Sequence, residues 1–385
     1  MIKLLRFPTL GIVAALAFAG NAQAKDGFSA GSNGLVYKGN DFELSVGGRL
    51  YLDATHYDVG GATADTVAVR RARIEVDGKF AKIVEFRVER EFAGRGGWRN
   101  VWLAVQPVKH VELRGGNFVV PFSMEELQSS NDTALMERSD ISSLAPSYSL
   151  GGMLAFKGKN FTVSGGYFGK ALSGDEGRSK GRGEGFAGRA TLSPKVGKQS
   201  FAHLGVAYEQ RDLKDGDVLR FVVKSGSQFA PSLMRTGPLG VTKLRTIGAE
   251  AAYSTGPLLL QGQYAKIHLD RDMLADLDFD AWYAQVAFVV TGQSYEYSQN
   301  NGTVSGVRLK KGNALELAAR VSGIDLRDRE VPAGIGRTYT VGANYYFNRN
   351  VRFMLNYARS RAHDIQPLDT VRKIDVVTGR FQLAF

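Results

Sequence analysis

Apolar and polar residues alternate along most of this chain, strictly enough to assign faces. Over residues 41–57, Leu44, Val46, Leu50 and Leu52 share one face, while Glu43, Ser45, Arg49, Tyr51, Asp53 and Thr55 share the other. A two-residue period is that of a β-strand with one apolar and one polar side. Residues 66–79 repeat it, with Arg71, Arg73, Glu75 and Asp77 opposing Ala72, Ile74 and Val76. So do residues 81–92, with Glu85, Arg87, Glu89 and Glu91 opposing Val84, Phe86 and Val88. A tight turn is expected between them at Asp77-Gly-Lys79.

Further strand-like segments run over about 99–106, 108–118, 148–157, 160–168, 184–192, 199–211, 241–254, 258–269, 279–292, 314–326, 338–347, 351–361 and 372–385. With the first three they make sixteen, an even number. Short linkers near 77–79, 107–108, 158–159, 193–198, 255–257 and 348–350 alternate with longer polar ones near 59–65, 92–98, 169–183, 212–240, 270–278 and 293–312. Short turns on one rim and long loops on the other is the pattern of a bacterial outer-membrane barrel. The expected fold is all-β, a 16-stranded antiparallel transmembrane β-barrel. Beyond the N-terminus no run of about 18 apolar residues exists, and only helices and closed barrels satisfy their backbone in lipid. Aromatics near strand ends (Tyr57, Phe80, Phe92, Trp98, Trp102, Phe161, Trp282, Tyr345, Phe347, Phe353) suit interfacial girdles.

One stretch departs from the pattern. Residues 121–138 read briefly as helix, after Pro121, which breaks strand pairing. Ser123 is a candidate N-cap with Glu126 three residues on. Met124, Leu127, Leu135 and Met136 are expected to pin the segment to the wall, with Glu125, Asp132 and Arg138 toward water. A lumen sixteen strands wide is aqueous, so an inward fold of this segment would narrow it.

Composition adds export and charge. Lys3 and Arg6 precede an apolar stretch from Leu10 to Phe18 and a small-residue site at Ala22-Gln23-Ala24. That is the form of a signal peptide, 1–24, with a short periplasmic segment at 25–40 and the barrel domain at 41–385, including a constriction loop at 119–146. The chain has 49 Lys+Arg against 38 Asp+Glu, a net charge of +11. With no cysteine, disulfides and thiolate metal sites are excluded. The five histidines show no metal spacing, and no Gly-rich loop joins a strand to a helix, so neither a cofactor nor an enzyme is expected. The final Phe381, Leu383 and Phe385 share one face, similar to the C-terminal aromatic signature of outer-membrane barrels.

The ordered pieces Val46-Gly-Gly-Arg-Leu50, Val69-Arg-Arg-Ala-Arg-Ile-Glu75, Gly116-Asn-Phe-Val-Val-Pro-Phe-Ser-Met-Glu-Glu126 and Leu135-Met-Glu-Arg138 resemble the phosphate-selective porins O and P. Gln210-Arg-Asp-Leu-Lys214, Trp282-Tyr-Ala-Gln285 and Tyr339-Thr-Val-Gly-Ala-Asn-Tyr345 fit as well. The resemblance implies a homotrimer in the outer membrane and an anion path for phosphate or polyphosphate. By motif position Arg49, Arg70, Arg71 and Arg138 carry over as path arginines, and Arg220 by its spacing from Arg211-Asp-Leu-Lys-Asp215. The family's acidic residue near the constriction is replaced by Arg99. Guanidinium suits such a path because its paired donors match phosphate oxygens and its charge is permanent.

Strict alternation puts Arg70 on the face opposite Arg71, so that only a bulge would bring both inward. Wall carboxylates such as Glu75, Glu85, Glu89 and Glu91 offer each arginine a structural alternative. The basic loops 170–182 and 214–235 are solvated, gather anions or contact lipopolysaccharide. No nucleic-acid partner is expected. The alternatives to a phosphate channel are a porin of other small-solute selectivity and a barrel with an enzymatic or structural role.

Overall fold

The computed structural model describes residues 22–23, 27–31, 34–173, 182–214, 217–309, 312–329, 331–364 and 371–385. Apart from residues 22–23, the expected leader 1–24 lies outside the described residues. The wall consists of β1 (Phe42–Val59), β2 (Ala62–Phe80), β3 (Val84–Glu91), β4 (Gly97–Val108), β5 (Val111–Val119), β6 (Tyr148–Lys157), β7 (Phe161–Phe168) and β8 (Glu184–Leu192). It continues through β9 (Ser200–Asp212), β10 (Lys243–Thr255), β11 (Leu258–Asp270), β12 (Leu277–Val289), β13 (Ala314–Asp328), β14 (Val331–Tyr346), β15 (Val351–His363) and β16 (Arg372–Ala384). Each strand pairs antiparallel with the next. β16 returns to β1 with Leu383 opposite Leu50, closing the barrel and removing its edges.

The seam explains two glycines. Gly48 and Phe385 exchange backbone hydrogen bonds of 2.8 and 2.9 Å. A Cβ at Gly48 would meet the Phe385 ring at 3.0 Å, and one at Gly47 a Phe385 backbone oxygen at 2.7 Å. Val46-Gly-Gly-Arg-Leu50 therefore leaves room for the C-terminal residue.

The alternation resolves as polar inside, apolar outside. On β14–β16, Tyr339, Val341, Tyr345, Phe353, Leu355, Tyr357, Val377 and Phe381 are exposed, while Thr340, Asn344, Arg352, Asn356, Ser360, Thr378 and Arg380 are buried inside the wall. So much exposed apolar surface requires lipid around it. Phe80, Phe92, Trp98, Phe161, Tyr345, Phe347 and Phe353 are exposed in this way. Trp282 is half-buried, and two further expected girdle residues turn inward. Trp102 lines the lumen under Arg114, 4.2 Å from guanidinium carbon to ring centroid, and Tyr57 packs against the interior apolar cluster.

Other expectations shift locally. The first turn is not at Asp77-Gly-Lys79, because Asp77, Gly78 and Lys79 pair with Arg87, Phe86 and Glu85 inside the sheet. Gly78 makes room for the Phe86 ring, which a Cβ would meet at 2.1 Å. The chain reverses after Phe80, with left-handed Ala81 (φ 48°) and Lys82 (φ 62°). The segment 293–312 does not belong to the rim of long loops. It leaves the near rim, where the barrel strands begin and end, beside the turn between Thr255 and Leu258.

Among the described residues, three insertions occupy the interior. Loop 120–147, between β5 and β6, carries the helix α1 (Met124–Leu127) and a 3-10 turn at Asp140–Ser143. Loop 213–242 carries the ribbons Val218–Leu219 with Leu239–Gly240 and Val222–Lys224 with Ser232–Arg235. Its Leu219, Phe221, Val223, Leu233 and Met234 join Ile141 and Leu144 of the first loop against Leu244, Ile267, Leu269 and Phe279 of the wall. Segment 290–313 forms the hairpin Tyr295–Ser298 with Thr303–Val307. Its Tyr295 and Val304 bury against Met124 and Leu135.

Candidate functional site in the lumen

The constriction loop is built from both local and distant signals. Ser123 caps α1, its hydroxyl accepting the Glu126 N–H at 3.3 Å. Met124 and Leu135 pin the loop to the wall as expected, but Leu127 faces the cavity instead. Glu125 is not toward water. It is buried, accepting from the Ser139 N–H, the Ser139 hydroxyl (2.6 Å) and Arg320 (3.0 Å).

Inward side chains of β13–β16 hold the loop by its carbonyls. Arg352 donates to Thr133 O (3.0 Å), Asn344 to Ala134 O (2.7 Å), Arg380 to Met136 O (3.0 Å) and Arg320 to Glu137 O (2.8 Å). The loop is thereby pulled to one side of the barrel. The opposite side, chiefly β2–β6, stays open to a cavity of about 1340 Å³. Fifteen Lys and Arg line it against eight Asp and Glu.

Most of those cations are already paired. Arg73 bridges Glu89 (2.7 Å) and Glu91 (2.6 Å), Arg87 pairs with Asp77 (2.5 Å) and Lys79 with Glu85 (2.7 Å). Glu112 takes both Arg114 (2.8 Å) and Lys157 (2.6 Å). Among the residues expected in the path, Arg49 is buried, held by Glu75 at 2.6 Å and by Ser130 of the loop at 3.3 Å.

Arg70 and Arg71 both face the lumen. The register slips between Tyr51–Arg71 and Leu52–Val69, so Arg70 is the extra residue of a bulge. Arg70 makes a two-pronged pair with Glu137, both contacts 2.8 Å. Arg71 lies over the Tyr51 ring at 5.9 Å and, among the described residues, has no carboxylate partner; its charged neighbours include Arg70, Arg73 and Arg138.

Arg138 serves the loop's own architecture as well as the cavity surface. It donates to the carbonyls of Glu125 (2.8 Å), Glu126 (3.1 Å) and Gln128 (3.2 Å), covering the C-terminal end of α1. Arg220, on loop 213–242, is exposed, lines the same cavity and has no ion pair among the described residues. Arg99 also lines it, stacked 5.8 Å from the Tyr148 ring, so a base stands where the family pattern has an acid.

Glu137, Arg380 and Asp132 were not singled out as path residues by sequence. Arg380 is buried between Asp53 (2.7 and 2.8 Å) and Glu137 (3.0 Å). Burial alone would raise the Glu137 carboxyl, but Arg70 and Arg380 hold it well below the usual carboxylate range. Asp132, at the loop tip, borders both this cavity and a second chamber of about 590 Å³ toward the near rim. Burial there pushes its carboxyl up to about 6, Glu296 adding to the rise and Arg352 and Arg49 opposing it. Their only sequence signal was an inward position or a place in the loop, with nothing to mark a partner.

Away from the lumen, His268 is ringed by Asp270 (3.1 Å), Asp276 (3.7 Å) and Asp278 (3.0 Å) at the far rim. Arg245 and Lys266 pair with the same cluster.

The phosphate-selective porin O and P family profile matches residues 44–385. Porin O of Pseudomonas aeruginosa is 26% identical over 421 aligned residues, covering 94% of this chain and 95% of that protein. Among solved structures, OmpT of Vibrio cholerae is similar with a TM-score of 0.58 at 12% identity, covering 91% of this chain and 99% of that one. The anion-selective porin from Comamonas acidovorans gives 0.56 at 14% identity, covering 90% and 100%. At such identities these structures speak for the fold alone, while the family match spans nearly the whole barrel. The chain belongs to the phosphate-selective porin O and P family of outer-membrane porins.

Proposed function

We propose that this porin is an anion-preferring diffusion channel for phosphate and related small anions, acting as a conduit and not as a catalyst. The observation that carries this reading is Arg71, a cation in the cavity wall among other cations, which stands over Tyr51 and makes no ion pair among the described residues, the nearby Glu137 being paired with Arg70 and Arg380. Arg220 at the far side of the cavity supports it. An incoming anion is drawn by this net positive lining and finds donors at Arg71 that no wall group occupies. Spaced, moderate sites favour passage over trapping.

The proposal includes a leader removed after Ala24, a homotrimer, a near rim facing the periplasm and lipopolysaccharide around the far rim. A second reading, a porin for small anions in general, is favoured by the extent of ion pairing. Arg49, Arg70 and Arg73 all have carboxylate partners, which weakens any deep phosphate site.

The test is reversal potential across planar bilayers under a KCl gradient, followed by phosphate addition. Wild type should select chloride, and Arg71→Ala should lower the anion-to-cation permeability ratio severalfold. Phosphate block of the chloride current supports the first reading; its absence supports the second. Cation selectivity of the wild type would sink both.

A further inference from the structure

Just beyond the lipid-facing apolar band, on the outside of the far rim, the wall becomes charged. On β10–β13 the cations meet carboxylates: Arg245 with Asp270 (2.8 Å), Lys266 with Asp278 (3.5 Å), and Arg327 with Asp325 (3.2 Å) and with Asp364 of the adjoining loop (2.5 Å), with Asp280 a further acid directly opposite Asp325. On β14–β16 three cations do not. Arg337 stands directly opposite Arg361, and Arg361 directly opposite Lys373. All three are exposed, and among the described residues none makes an ion pair. Asp375, one outward position below Lys373, is taken by Arg359 (2.7 Å) and the Tyr357 hydroxyl (2.5 Å). Like charges directly opposed across a ladder destabilise a sheet. A row of three persists at least cost when an anion bridges it.

The row's surroundings define the anion. Immediately below it on the outer face lie Tyr339 and the Arg359–Asp375 pair, then Val341, Tyr357 and Val377, then Leu355. Trp282 lies across Gly323, where a Cβ would meet its ring nitrogen at 2.8 Å, and Arg337 stacks over that ring at 5.8 Å. An occupant that satisfies both levels has an anionic head and apolar tails. Its charged groups lie at the top of the aromatic belt and its chains run down the apolar wall. Guanidinium donors in a row suit phosphate.

We propose that Arg337, Arg361 and Lys373 bind the phosphate groups of an outer-leaflet glycolipid, the lipid A part of lipopolysaccharide. The proposal rests on the outer-membrane assignment and on the far rim facing outward. It does not depend on anion selectivity in the lumen. The fit is to a phospholipid-like amphiphile and not to free phosphate, because free phosphate has no use for the apolar half of the site.

The experiment uses the full-length purified protein in detergent, titrated with diphosphoryl lipid A and with its dephosphorylated form, bound lipid being counted by native mass spectrometry. The triple variant Arg337→Gln, Arg361→Gln, Lys373→Gln should bind diphosphoryl lipid A on the order of 100-fold more weakly, at about a factor of five per cation. The conservative Arg361→Lys should retain most of the binding. Millimolar inorganic phosphate should not displace the lipid. Equal binding by wild type and triple variant, equal binding of the dephosphorylated lipid, or displacement by inorganic phosphate would each overturn the proposal. A triple variant that changes oligomeric state with lipid binding intact would reassign the row to a protein interface. Chloride selectivity of the triple variant should stay at the wild-type value, so a failure here is separate from a failure of the channel reading.

Discussion

Arg70 and Arg71 are adjacent in sequence and differ in what they can offer a permeant. Alternation would have sent them to opposite faces; the bulge turns both inward. Arg70 then meets the Glu137 carboxylate, which is ionised and occupies the Nε–Nη2 edge of its guanidinium. Glu137 is in effect a tethered anion in the place a free one would take. Glu137→Gln should release Arg70 and remove a negative charge from the cavity lining. At about 4 Å one charge is worth at least about 1 kcal/mol, so phosphate should block the chloride current at roughly fivefold lower concentration. A block concentration equal to or above wild type would show that Glu137 does not compete with the permeant. Arg49, Arg70, Arg71, Arg138 and Arg220 stand together in the sequence by motif position and spacing, and alternation adds only which face a strand residue takes. It does not report which carboxylate meets it, and Glu137 is brought to Arg70 across 67 positions by the fold of the loop.

At the scale of elements, what was legible was local. The strands, the cap at Ser123 and the anchoring by Met124 and Leu135 follow from period and short-range spacing. The attachments from Arg320, Arg352 and Arg380 were not legible, since they join the loop to strands 183 to 244 residues away. Nor was the interior course of loop 213–242, whose apolar residues are scattered without a clean period. That loop is held by packing, with Phe221 edge-on to Phe279 at 5.6 Å. Phe221→Ala should cost this contact region about 3–5 kcal/mol. The wall keeps its own hydrogen bonds, so the loop and not the barrel should loosen. The expected result is larger, noisier single-channel conductance with unchanged heat resistance of the folded barrel on gels. Unchanged conductance together with unchanged protease resistance of the loop would mean that Phe221 does not hold it.

For the molecule as a whole, selectivity follows from the sum of lumen charge, and part of that sum titrates. Asp132 and Asp140 both line the main cavity. Burial pushes each carboxyl up to about 6; at Asp140 the Ser322 hydroxyl and Arg320 oppose the rise and Glu125 adds to it. A carboxyl with a raised pKa is neutral below that value and negative above it. Acidification from pH 7 to pH 5 therefore removes up to two negative charges from a lining that is already basic. Chloride-over-potassium permeability should rise across this window. Chloride is the right probe because phosphate changes its own charge there. The wild-type profile sums the whole lining and does not isolate these two carboxylates. The double variant Asp132→Asn, Asp140→Asn does. It should show a higher permeability ratio than wild type at pH 7 and converge with wild type at pH 5, the gap closing around pH 6. A constant gap from pH 5 to pH 8 would place both carboxyls at ordinary acidity. Their contribution to the field would then be fixed, and only the arrangement of arginines and glutamates would set selectivity at physiological pH.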